Sequence, residues 1–484
     1  MTDTAPTMTA AATVRFGRLP RRGLLLGFSA PRVVCIAGAA ATAIPMLFML
    51  GPSGAAVSAP LWITFLSLAF APWHGRPAIE TVPTAGHFAW RRLHGQTRHR
   101  VRPDHPRPSG TMALPGDAAA LRFHIDGETG TAMVHDAHAG TLTAVALVRH
   151  PAYVLLSPDE QARRVHGWGR TLASLANSGS IARIQVLEVS LPDSGAGITG
   201  WWQQAGRKNS AQWAVREYEE LMRTCAPAAS THRTLIALSL DLKAASGYIR
   251  RHGRGTRGAA AALRQEMIAF EAGLRSAEVH LACWLDESEL ATTIRTTYDP
   301  GAGPWTATAR SLGTAGPVAI DERWDHLRHD SGYSAVLWIN EWPRVDAPPS
   351  FLHALVFRPG VRKTLSITAS PVPTAAAMRD IRRSKVEYAT DASQKARLGA
   401  LADLSDAAEW SDVLDRERAL LNGHADMRFS GLIAVTAASV DELDAALAEM
   451  ERAAVQCGCE TRRMVGQQAR AYAAAALPLA RRVN

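Results

Sequence analysis

The stretch closest to a nucleotide site is Arg358-Pro359-Gly360-Val361-Arg362-Lys363-Thr364. A phosphate cradle needs converging backbone N–H groups, a glycine before the lysine and a helix after it. Here Phe357 holds the first glycine position and Arg362 stands before Lys363, and the residues that follow alternate like a strand. The stretch reads as a β-turn between strands. A second candidate, Arg250-Arg251-His252-Gly253-Arg254-Gly255-Thr256-Arg257-Gly258, is basic and glycine-rich. It has the charge to touch phosphate or nucleic acid, but no dinucleotide fingerprint, and it reads first as a solvated loop.

Other reactive residue types are sparse. His135-Asp136-Ala137-His138 offers two metal-ligand side chains and reads in preference as a polar turn between strands. Cys457-Gly458-Cys459 would supply half a metal site, with no matching Cys/His pair at zinc spacing elsewhere. Cys283 lies in an apolar run and reads as a small core residue. No G-x-S-x-G elbow occurs. The acid pairs Asp159/Glu160 and Glu219/Glu220 fall on expected helix caps and faces and need no catalytic role. Trp201-Trp202 is expected in a loop, as an exposed contact or as cover for an apolar edge. These readings assign no catalytic, cofactor-binding or metal-binding residue, and the expectation is a non-enzymatic protein.

The element that positions everything else is the apolar stretch 33–72. Its arms, 33–50 and 55–72, hold no charged side chain, and Gly51-Pro52-Ser53-Gly54 separates them. Each arm is near the lower limit for a helix spanning a hydrocarbon core. Arg15, Arg18, Arg21, Arg22 and Arg32 precede the first arm; Arg76, Arg91, Arg92, Arg98, Arg100 and Arg102 follow the second. Basic flanks outside a charge-free turn predict a transmembrane helical hairpin with both chain ends cytoplasmic. Gly38, Ala39, Ala40 and Ala41 suit close helix packing. Much of the net charge of +9 lies in the first hundred residues or so, and reads first as topology and attraction to anionic lipid. DNA is a possible further partner.

The expected organisation is a basic cytoplasmic segment over 1–32, the hairpin over 33–72, a basic Pro-rich linker over 73–117, and cytoplasmic α/β domains over 118–300 and 301–484. Residues 132–135, 141–148, 152–156 and 181–191 read as strands around a helix opened by Ser157-Pro158-Asp159-Glu160. Strands are further expected over 233–242, 279–285, 333–339, 351–357, 363–370, 427–437 and 460–464, and helices over 210–225, 259–276, 286–298, 374–398, 403–421, 440–456 and 466–477. This switching predicts an α/β (α+β) soluble region of open, ferredoxin-like split βαβ units, with helices on one face of the sheet. The linker is expected to be solvated, with one amphipathic turn over 87–93.

A resemblance follows from these residues. The stretch from His135 to Val145, the segment Leu156-Ser157-Pro158-Asp159-Glu160 through Trp168-Gly169-Arg170, and Gln185-Val186-Leu187-Glu188 resemble an actinobacterial family of conjugation-associated membrane proteins. The hairpin is similar to PrgI-type inner-membrane components. From about residue 126 onward, the order of elements looks like the N-terminal region of the VirB/TraC-type ATPases of type IV secretion. Ala471-Tyr472-Ala473 through Leu479 resembles the point where that region gives way to the motor domain. The EccE subunits of type VII secretion share the plan of two helices followed by a cytoplasmic domain. The resemblance implies a structural subunit, oligomeric within a secretion machine, that docks a separate secretion ATPase and other membrane subunits. The chain lacks a nucleotide motif, so ATPase activity is not carried over.

Overall fold

The computed structural model describes residues 28–483 apart from 74, 103, 105–106, 150–152, 193–195, 207–210, 226–229, 303–310 and 398–403. The basic segment expected over 1–32 therefore lies outside the described residues as far as residue 27. The chain is a mixed α/β protein with one long apolar N-terminal helix and a large antiparallel sheet.

The helix, α1 (Ala30–Phe70), has 41 residues and contains Pro45, Pro52 and Pro60. Its backbone leaves helical geometry at Gly51, where φ is 64° and ψ −154°, a conformation open to glycine at little cost. Arg32 Nε donates to the Ala69 carbonyl at 3.0 Å. The rings of Phe28 and Phe70 meet edge to face at 5.9 Å. A two-residue pair, β1 (Pro72–Trp73) and β2 (Arg76–Pro77), follows. It leads into α2 (Ala78–Leu93), which is longer than the single turn expected there. The helix continues past Pro83 because its Thr81 and Phe88 face is buried against the body of the protein. Within 73–117, β3 (Arg98–Arg100) joins the sheet, and Met112 and Leu114 are each 1% exposed. Apolar side chains between prolines fix this segment to the core.

Two runs of elements follow, with the same grammar. The first is β4 (Arg122–Ile125), β5 (Ala132–Asp136), β6 (Thr141–Arg149), α3 (Pro158–Ser178), β7 (Ile181–Pro192), α4 (Ala196–Ala205), α5 (Gln212–Cys225), β8 (Ser230–Asp241), α6 (Ser246–Arg251), α7 (Gly255–Ser276), β9 (His280–Trp284) and α8 (Glu287–Tyr298). The second is β10 (Ala319–Glu322), β11 (Leu327–His329), β12 (Gly332–Glu341), α9 (His353–Val356), β13 (Arg362–Pro371), α10 (Thr374–Arg397), α11 (Leu404–Leu421), β14 (Met427–Ala437), α12 (Val440–Gln456), β15 (Glu460–Arg463) and α13 (Gln468–Ala476).

Both runs sit in one thirteen-stranded sheet of order β3-β10-β11-β12-β14-β13-β7-β8-β6-β5-β4, with β15 also on β12 and β9 also on β6. From the middle outward each half has the same order: β7-β8-β6-β5-β4 in one and β13-β14-β12-β11-β10 in the other. The halves join through β7 and β13, antiparallel from Ile184↔Ala369 to Ser190↔Lys363. The chain is thus an internal structural duplication about this strand pair.

Alternation along the strands divides the core. Leu235 and Ala237 of β8 face α8, α13 and the segment after it, together with Leu432 and Ala434 of β14. Ile236, Leu238 and Leu240 face α3 and α7 on the other side, and Ile433 and Val435 face α12 and α9. Helices therefore lie on both faces, not on the one face expected. The alanines at 471 and 473–476 let α13 lie directly on the middle of the sheet.

Three local expectations are corrected. Residues 351–357 form the helical turn around α9, with Phe351 N–H bonded to the Pro348 carbonyl and Leu355 N–H to the Leu352 carbonyl. Residues 153–155 form a 3₁₀ turn that delivers Ser157 to its cap, where a strand was expected over 152–156. Trp201 and Trp202 lie in α4, not in a loop. Each case is a short apolar run whose type periodicity alone does not settle.

The two long helices of the first half touch backbone to backbone. A Cβ on Gly167 of α3 would stand 2.7 Å from Ala277 Cα, and one on Gly273 of α7 would stand 2.5 Å from Thr171 Cγ2. Gly167→Ala is expected to cost about 2 kcal/mol by overpacking, despite alanine's better helix propensity. Chemical unfolding followed by tryptophan fluorescence reads this directly, and an unchanged midpoint would contradict the close approach.

Candidate functional site

In the Arg358–Thr364 stretch, Gly360 turns at φ 73° and β13 begins at Arg362. Arg362 donates to the carbonyls of Thr296 (2.6 Å) and Pro300 (3.3 Å), satisfying the C-terminal end of α8. Lys363 is 3% exposed and its Nζ donates to the Arg358 carbonyl at 2.5 Å. Burial pushes the Lys363 amine down to about 8. Both cations are therefore committed to backbone oxygens, as the β-turn reading requires.

Of the basic stretch 250–258, read as a loop, only residues 252–254 join α6 to α7; Arg250 and Arg251 lie in α6, and residues 255–258 open α7. Arg250, Arg251, Arg254 and Arg257 are all exposed. Gly258 sits where a Cβ would stand 2.4 Å from the Ile249 carbonyl oxygen, so this glycine serves the tight α6–α7 corner. In His135–His138, Asp136 Oδ1 accepts the backbone N–H groups of His138 and Ala139, both at 3.0 Å. That is the polar turn. Cys457 and Cys459 are buried in the core under α12, and Gly458 turns between them at φ 70°. Burial pushes the Cys457 thiol up and the Cys459 thiol up to about 12. Among the described residues, no group of three or more His, Cys, Asp or Glu side chains could hold a metal ion. Glu160 forms the reciprocal capping box with Ser157, whose hydrogen bonds hold its carboxyl below the usual range. Glu219 accepts from Trp202 Nε1 at 3.2 Å, and Glu220 pairs with Arg223.

What the fold does assemble is the junction between α1 and the body. Ala78 N–H bonds to the Ala71 carbonyl at 3.0 Å, and Ser29 Oγ donates to Glu80 Oε1 at 2.6 Å. Trp73 stacks on Trp324 at 5.8 Å, and Phe88 meets the same indole edge-on at 5.4 Å. Arg91 of α2 pairs with Glu322 of β10, which is 3% exposed. Burial raises the Glu322 carboxyl above its ordinary value, opposed by Arg91 and by the Ala469 N–H at the start of α13. A cavity of about 790 Å³ opens beside this pair, between α2, β3, β10 and α13. A second, of about 440 Å³, is lined by Arg92, Arg323, Trp324, Asp325, Arg328 and Tyr333, among others.

Sequence reading found the flanking arginines but not this junction. Trp324, Glu322 and Arg328 lie more than two hundred residues from α2, and only strand pairing brings them together. Meanwhile α1 keeps its apolar surface open: Phe48 is 85% exposed and Met49 82%. Among the described residues it is the one helix long and apolar enough to cross a membrane. No family model matches the chain, and no curated protein matches it.

Proposed function

We propose that the protein is a membrane-anchored structural subunit of a conjugative or type IV-like secretion machine. Its duplicated sheet serves as a cytoplasmic platform for a separate ATPase. The observation that carries the anchor is the open apolar surface of α1, together with the contacts that tie both its ends to the body. Residues 32 and 69 of a straight helix would be about 55 Å apart at 1.5 Å per residue, whereas Arg32 Nε and the Ala69 carbonyl are 3.0 Å apart. The geometry favours two arms that turn at Gly51 and return side by side. The arms Ala30–Leu50 and Pro52–Phe70 are each about 30 Å long, the thickness of a hydrocarbon core.

The soluble region supports the platform reading. The strand order β9-β6-β8-β7, with α3 between β6 and β7 and α7 between β8 and β9, supports reading the first half as a ferredoxin-like split βαβ unit elaborated by α4, α5 and α6. The run β12-α9-β13-β14-α12-β15 follows the same order, β15-β12-β14-β13. The secretion affiliation rests on the resemblance carried by residues 135–145, 156–170 and 185–188. Affinity purification of the full chain from detergent extracts is expected to recover a secretion ATPase and other membrane subunits; recovery of neither would contradict the docking role. An affiliation with type VII secretion would instead bring down the subunits of that machine.

Two substitutions test the parts. A Cβ on Gly38 would meet the Phe65 ring at 3.4 Å, so Gly38→Leu is expected to push the arms apart and lower the melting temperature of the detergent-solubilised chain by several degrees. The exposed arginine cluster favours DNA as a second partner. If DNA binds there, neutralising Arg250, Arg251, Arg254 and Arg257 lowers the log–log salt slope by about 4. A slope that does not move removes the cluster from consideration.

A further inference from the structure

We propose that the junction of α1 with the body is a specific binding site for anionic phospholipid headgroups, built as an arginine and tryptophan collar. The proposal rests on reading α1 as the membrane anchor and assigns a ligand class to its base. Three observations carry it.

The first is charge without internal neutralisation. Arg76, Arg92, Arg328 and Arg462 make no ion pair among the described residues. Nearby carboxylates are already taken. Asp325 is held by His326 at 2.8 Å and by Arg463 at 3.5 Å, and Asp321 by Arg323 at 2.9 Å.

The second is the aromatic support. Arg76 and Arg462 both lie over the Trp338 ring, with guanidinium carbons 5.8 and 4.9 Å from its centroid. Arg328 lies 5.7 Å from the Tyr333 ring centroid. Stacking on a ring fixes the guanidinium plane while leaving its N–H edge open, the arrangement suited to bidentate phosphate contact.

The third is position. Arg76 opens β2 opposite Trp73, in the strand pair that the Ala78–Ala71 hydrogen bond closes onto the end of α1. Trp73, exposed and stacked on Trp324, links that turn to the cavity of about 440 Å³ lined by Arg92 and Arg328. Tryptophan just beyond an apolar helix, with arginine around it, is what the headgroup layer selects. The cavity gives one headgroup room to enter between α2 and the β10–β11 turn. The phosphodiester of a glycerophospholipid fits all three observations, because its acyl chains continue along α1. A free phosphate or a phosphopeptide would use the charge but not the adjoining apolar helix.

The test uses the full chain, purified in detergent, stripped of lipid and titrated with phosphatidylglycerol, phosphatidylcholine or inorganic phosphate. Bound lipid is read by native mass spectrometry. Phosphatidylglycerol is expected to bind at least tenfold more tightly than phosphatidylcholine and to resist competition by equimolar inorganic phosphate. The triple variant Arg92→Gln/Arg328→Gln/Arg462→Gln is expected to lose that preference, the Arg→Lys triple to keep a reduced one, and Arg382→Gln/Arg383→Gln, at two exposed positions of α10, to keep it in full. Equal binding of the two lipids by the unmodified chain, or equal competition by free phosphate, overturns the proposal without reference to any variant. If the chain is an integral membrane protein yet shows no headgroup preference, only the collar fails. If it is not membrane-bound at all, the anchor reading fails with it.

Discussion

Gln185→Ala is expected to remove about 4 kcal/mol of stability, because three buried polar groups lose a partner at once. Gln185 is wholly buried on β7, at the seam between the two halves of the sheet. Its Nε2 donates to Ser366 Oγ of β13 and to the Ala474 carbonyl of α13, both at 2.9 Å. Its Oε1 accepts the Ala480 N–H at 2.6 Å. One side chain therefore ties together both central strands, the helix across them and the segment that follows. Arg183 Nη1 holds the same segment by donating to the Ala480 carbonyl at 2.7 Å. Guanidinium unfolding of the detergent-solubilised chain, followed by tryptophan fluorescence, measures the loss. A cost below about 1 kcal/mol would mean that water replaces the lost amide, and that the seam is looser than the hydrogen bonds indicate.

The second large effect is a loss of stability in acid, centred on His329. This side chain is 0% exposed. Its Nδ1 lies 2.7 Å from the Tyr298 carbonyl, which only accepts, so Nδ1 carries the proton. Nε2 then accepts from Ser334 Oγ at 2.7 Å, and Ser334 Oγ lies 2.7 Å from Thr436 Oγ1. Tyr472 stacks on the ring at 5.0 Å. Burial pushes the imidazole down from 6.5 to about 4, with Arg362 acting in the same direction and the Tyr298 carbonyl and Asp330 against it. The unfolded chain therefore binds the proton first as pH falls. The contribution is complete above pH 6.5 and is lost progressively down to about 4, amounting to about 3 kcal/mol. His329→Gln is expected to lower stability at pH 7.5 and to flatten its dependence between pH 6.5 and 4.5. Parallel pH dependences for the wild type and the variant would assign the acid loss to other groups.

The regular elements were legible in the sequence wherever periodicity was long. The helix start at Ser157-Pro158-Asp159-Glu160, the strand over 181–191 and the helix over 440–456 each name an element that the structure contains. The duplication was not legible, and the reason is physical. The first crossover uses the 21-residue α3, whereas its counterpart uses the four-residue α9. A repeat that conserves strand order but not helix length leaves no fixed period. The segment 98–114 was also obscured, because its prolines and charges resemble a linker while, among its described residues, Met112 and Leu114 reach the core. The second helical face was hidden in alanines: Ala473, Ala474 and Ala475 add little hydrophobic signal but allow the closest approach to the sheet. Of the candidate site, the flanking arginines could be read directly. Their aromatic supports on β10–β12 could not, since sequence separation conceals which residues share an edge.

Anchoring, docking and headgroup binding all require α1 to reside in lipid. Alkaline carbonate extraction of membranes from cells making the full chain tests this most directly. The protein is expected to stay in the membrane pellet and to be released only by detergent; recovery of the intact chain in the aqueous supernatant would contradict the membrane anchor.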